Sequence, residues 1–125
     1  MTINMDKLQE TFFQESEEHL SFVESALLQF DVDVPDLEII NSIFRAVHSL
    51  KGGAGIFGLD VLIELAHLME NLLDQARNEE LTIDTDTLTA LLETNDVLRV
   101  LLSQYAEHLD VQEDSIATAK QTLQT

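Results

Sequence analysis

Apolar residues recur at helical spacing along almost the whole chain, interrupted by one proline and four glycines. No segment alternates in the manner of a strand, so the pattern predicts long amphipathic helices and little else. Three glycines stand close together, at Gly52, Gly53 and Gly55, inside a stretch whose neighbours read as helix. Each costs a helix about 1 kcal/mol relative to alanine, against a total stability of about 5–15 kcal/mol for a domain. Such a concentration calls for a compensating role.

The spacing places a first helix from about Met5 to Phe30, with Phe12, Leu20, Val23 and Leu27 inward. Pro35 and its aspartates suit the first turn of a second helix, which runs to about Gly55. Ile56 to Gly58 read as a tight turn, and a third helix runs from Leu59 to about Asn78. Asp84 is the expected cap of a fourth helix reaching about Leu109. Ile116, Ala119 and Leu123 suggest a weaker fifth helix, or the start of a linker, over about 111–125. Long helices with short connections predict an all-α fold, an antiparallel four-helix bundle in one domain. A bundle alone does not specify a function.

Several function classes are excluded by composition. With 24 acidic side chains against six lysines and arginines, the net charge of −18 repels the phosphate backbone of nucleic acids. The chain has no cysteine, so disulfides and thiolate metal sites are ruled out. No apolar run approaches the roughly 18–20 residues of a membrane span. The opening MTINMDKLQE lacks the basic and apolar regions of a signal peptide.

The segment GAGIFG, Gly53 to Gly58, matches the letters of a dinucleotide fingerprint, but a helix precedes it where a strand is required. A phosphate-binding P-loop fails as well, because Leu59 and Asp60 occupy the positions of its lysine and hydroxyl residue. The chain is therefore not expected to hold ATP itself.

Projection at about 100° per residue gives the glycines their meaning. With His48 at zero, Gly52 falls near +40°, Gly55 near −20° and Lys51 near −60°. Ile40, Ile43, Val47, Leu50 and Ala54 occupy an arc roughly 130° away. His48 thus projects from the side away from the core, with bare backbone around it. Gly53 lies beside the core arc, where close packing of a neighbouring helix explains it, and Gly58 serves the turn.

His67 and Glu70 are one turn apart on the third helix, opposite Leu65, Met69, Leu72 and Leu73. In a hairpin centred near Phe57, His48 and His67 come level, so His48, Lys51, His67 and Glu70 can share one patch. An unperturbed imidazole titrates at about pH 6.5 and is a competent nucleophile in its neutral form. A carboxylate accepting from one ring N–H leaves the other nitrogen's lone pair outward, as in the serine-protease triad but without the serine. An ammonium beside it would stabilise an arriving phosphoryl group. Glu70 and Lys51 suit those two tasks. Against this, Lys51 could be a solvated charge and Glu70 a surface partner of Arg77. His19 and His108 read as ordinary surface or boundary residues.

The run IFRAVHSLKGGAGIFG, followed by ELAHLMENLLDQAR, resembles the histidine phosphotransfer (HPt) domain at the N-terminus of the CheA family of chemotaxis histidine kinases. The resemblance spans nearly the whole chain and extends to the opening FFQESEEHL, with nothing to match after Asp110. It implies that His48 is phosphorylated and that Glu70, Lys51 and His67 assist; the bare backbone at Gly52 and Gly55, with Arg45 flanking His48, is the expected side of partner access. It implies a phosphoryl donor, ATP with magnesium, on a separate kinase domain that acts between subunits, and no cofactor on this domain. The acceptor is then an aspartate of a response regulator such as CheY or CheB. The chain alone is in that case a relay substrate and not an enzyme, one module of a cytoplasmic histidine protein kinase associated with membrane receptor arrays.

Three other readings compete. A phosphotransfer domain of a different relay shares the chemistry and differs in partners. A metal-binding bundle is suggested by Glu64-Leu-Ala-His67, the E-x-x-H spacing of di-iron sites. It lacks a second such pair, and His67 points away from the apolar stripe. A purely structural bundle leaves the glycine clearing unexplained.

Overall fold

The structure, a computed structural model, describes residues 5–110. Four helices follow in order: α1 (Met5–Gln29), α2 (Leu37–Ile56), α3 (Asp60–Arg77) and α4 (Thr85–Asp110). Each packs against its neighbour in sequence, and α1 closes the ring against α4. Short connections reverse the chain each time, giving the expected antiparallel bundle. The weak fifth helix expected around Ile116, Ala119 and Leu123, and the side chain of His108, lie outside the described residues. No helix among those described is long and apolar enough to cross a membrane.

Helix ends follow from local chemistry. Asp36, not Pro35, begins α2: its carboxylate accepts from the Glu38 N–H at 2.9 Å, so Pro35 stands just outside the first turn where it was expected. Asp84 caps α4 as expected, accepting from the Thr87 N–H at 2.8 Å. The turn between α2 and α3 is tighter than its sequence suggested, since Ile56 is still helical. Gly58 takes a φ of 65° there, and the N–H groups of Leu59 and Gly58 donate to the carbonyls of Ala54 and Gly55. That pairing is the Schellman motif. The same motif ends α3, where Glu80 and Glu79 donate to Gln75 and Ala76. Its left-handed residue is Glu79, at φ 61°.

The core runs the length of the bundle and holds the residues expected inside: Phe12, Leu20, Val23 and Leu27 from α1, and Ile40, Ile43, Val47, Leu50 and Ala54 from α2. Two polar residues, Ser16 and Asn95, are buried within it. Asn95 Nδ2 donates to the Leu20 carbonyl, tying α4 to α1. Nearer the surface, Arg99 of α4 reaches Glu17, Ser21 and Glu24 of α1.

Candidate functional site

Two adjacent helices build the site. α2 buries one face, so His48 and Lys51 must project from the other side, toward the edge shared with α3. Gly53 explains how α1 comes close: a Cβ there would stand 2.6 Å from two ring carbons of Phe12. Gly52 and Gly55 face open space, with nothing within 4 Å of where a Cβ would be. Each of the three bunched glycines thus faces the side its angular position indicated.

His48 Nδ1 lies 2.9 Å from Glu70 Oε2, and Lys51 Nζ donates to Glu70 Oε1 at 2.9 Å. The carboxylate is thereby shared between the two. The exposures are graded: the His48 side chain is 62% exposed and that of Glu70 only 12%. Burial pushes the Glu70 carboxyl up, but hydrogen bonds from Lys51 and His48, with their charges, outweigh it and hold it below its ordinary value of 4.5. Glu70 is therefore ionised at neutral pH and can only accept. Nδ1 of His48 must carry the proton, which leaves the Nε2 lone pair of a neutral ring free and pointing away from α3.

Of the other residues expected in the patch, His67 is on the same helix as Glu70, exposed, and makes no hydrogen bond or ion pair among the described residues. Arg45 is exposed on α2 and, among the described residues, donates to Ser42 Oγ at 3.3 Å. Arg77 does not pair with Glu70. Its Nε donates to Asp74 at 2.8 Å, and its guanidinium sits 3.8 Å from the centre of the Phe44 ring. The Phe44 ring in turn stacks on His48, with centroids 6.0 Å apart and planes 9° from parallel. Phe44 escaped the sequence reading, although its place four residues before His48 is the spacing at which helical side chains meet.

Glu64 and His67 are both exposed, and among the described residues no three histidines or carboxylates converge.

The family model for the Hpt domain matches residues 7–110. The chemotaxis protein CheA of Klebsiella aerogenes is 46% identical over 105 residues, which is 84% of this chain and 16% of that protein. CheA of Bacillus subtilis is 35% identical over 112 residues, 90% of this chain and 17% of its own length. The chain thus spans about a sixth of the length of these curated relatives. Among solved structures, the CheA phosphotransferase domain from Thermotoga maritima superposes with a TM-score of 0.74 at 34% identity, covering 84% of this chain and 99% of that one. The phosphorylated P1 domain of CheA3 in complex with CheY6 from R. sphaeroides gives 0.76 at 28% identity, covering 82% of this chain and 80% of that one. With the family match running through all four helices, the chain belongs to the Hpt domain family.

Proposed function

We propose that this chain is the phosphotransfer module of a chemotaxis histidine kinase, with His48 as phosphoacceptor. The observation that carries the reading is the exposed imidazole of His48, held through Nδ1 by an ionised Glu70 so that Nε2 faces solvent. The similarity to CheA phosphotransfer domains, one of them phosphorylated and bound to a response regulator, supports it.

In this reading a kinase domain of the parent protein, acting between subunits, presents ATP and magnesium to Nε2. The Nε2 lone pair bonds to the γ-phosphorus as the bond to the bridging oxygen breaks, and ADP leaves with the electron pair. Nδ1 keeps its proton, so the phosphorylated ring carries positive charge that the Glu70 carboxylate stabilises. The same charge keeps the ring a good leaving group, and an aspartate of a CheY- or CheB-like regulator takes the phosphoryl onward. Lys51, already beside Glu70, supplies a cation to the phosphoryl oxygens. His67 plays a supporting part from the next turn of α3, and Gly52, Gly55 and Arg45 form the clearing that partners enter. The domain itself carries no cofactor, and the parent protein works in the cytoplasm beside receptor arrays.

A kinase core from a CheA relative, supplied with labelled ATP, tests this. One phosphate is expected, on nitrogen, labile to acid and stable to alkali, and absent from His48→Gln. Label that persists in His48→Gln would overturn the assignment.

A further inference from the structure

One freedom of the imidazole is left open by Glu70. A hydrogen bond at Nδ1 tolerates a spread of angles, so the ring can still tilt within the limits its Cβ attachment allows. Phe44 lies alongside, its plane 9° from parallel to that of His48 and its centroid 6.0 Å away. Helical side chains lean toward the N-terminus, so His48 covers the turn that carries Phe44. Phe44 is itself partly buried against the core. Its face is covered by the Arg77 guanidinium, 3.8 Å from the ring centre, and Arg77 is anchored on Asp74 at 2.8 Å. Two side chains from two helices, Phe44 and Glu70, thus flank a ring that is otherwise open to solvent, and Arg77 backs Phe44.

We propose that Phe44, clamped by Arg77, is a positioning residue for phosphoryl transfer at His48. Contact with the flat face of Phe44 and the hydrogen bond to Glu70 together leave Nε2 one direction in which to attack. The inference rests on His48 being the phosphoacceptor. Neither Phe44 nor Arg77 exchanges a proton or touches the phosphoryl group. Their effect is on the in-line alignment of Nε2, phosphorus and the departing oxygen, to which transfer rates are steeply sensitive.

Phe44→Leu keeps apolar bulk and removes the flat ring, whereas Phe44→Tyr keeps the ring. With a CheA kinase core and ATP, Phe44→Leu should lower kcat for His48 labelling about five- to tenfold while KM for the domain stays unchanged. Phe44→Tyr should recover to within about twofold, and Arg77→Met should lose about two- to threefold. Phosphoramidate, a small donor that needs no docked geometry, should label all four proteins at the same rate. Nitrogen-15 NMR needs no kinase: the Leu variant should keep the Nδ1–H tautomer and show a more mobile His48 ring. A wild-type kcat with an equally ordered ring would overturn the proposal. So would a loss confined to KM, which would make Phe44 a docking contact. Label on a residue other than His48 in the unmutated chain would instead overturn the acceptor reading, by a different measurement.

Discussion

Nδ1 of His48 and Oε2 of Glu70 stand 2.9 Å apart, although α2 carries one and α3 the other. The turn at Gly58 brings these helices together, and Glu70 reaches the histidine while Lys51 holds its second oxygen. One half-buried carboxylate is therefore hydrogen-bonded to both the imidazole and the ammonium.

Replacing Glu70 by Gln keeps the shape and removes the charge. The amide can donate as well as accept, so the Nδ1–H tautomer loses its bias, and the rate of kinase-dependent labelling should fall about tenfold to a hundredfold. Because the contacts lie at the domain surface, unfolding stability should change by less than about 1 kcal/mol. Labelling time courses and urea unfolding on the same preparation check both expectations.

The pH dependence follows from the same carboxylate. Its folded value is depressed below the ordinary 4.5, so its contribution to stability is complete above that pH. It is lost as the pH falls through the lower folded value. Wild type and Glu70→Gln should therefore differ by a constant amount at neutral pH and converge in the acid range below about 4.5. Urea midpoints measured from pH 7 downward would show the convergence.

The bunched glycines should separate by variant. Gly53→Ala drives a methyl to within 2.6 Å of the Phe12 ring, which is itself lodged against Phe13 and Phe57. Overpacking of about 1–3 kcal/mol should outweigh the helix-propensity gain of about 1 kcal/mol, for a net loss of up to about 2 kcal/mol. Gly52→Gln and Gly55→Gln meet open space and should raise stability by about 0.5 kcal/mol each, while slowing labelling about threefold or more by filling the clearing. Thermal unfolding paired with labelling rates would reveal this opposition.

Glu79 holds a φ of 61° in the motif that ends α3. A side chain there is strained, and Glu79→Gly should raise stability by about 0.5 kcal/mol after the added flexibility of the unfolded chain is set against the relief. Glu79→Ala keeps the Cβ and should gain nothing. Urea midpoints at equal slope distinguish the two.

Local sequence determined the helices, their inward faces and most of their ends, because helical periodicity and capping act within a few residues. It also placed His48 on the outward side and assigned Gly53 to packing, since both follow from the angle around a single helix. Leu59 and Ala54 are buried at the α2–α3 turn because Gly58 makes that reversal, and Gly58 was visible in the sequence. No glycine announced the end of α3, where Glu79 takes the left-handed conformation instead.

What tertiary structure alone decided is which charged group meets which. From the sequence, Arg77 was as good a partner for Glu70 as Lys51 was. The rotation of α3 against α2 gives Glu70 to Lys51 and His48 and sends Arg77 to Asp74 and the face of Phe44. The same holds for Arg99, which meets Glu17 and Glu24 across the closing pair α1 and α4. Periodicity determines which way a side chain leaves its own helix. Contacts between helices depend on their relative rotation and height, and these are set by how the whole core interlocks.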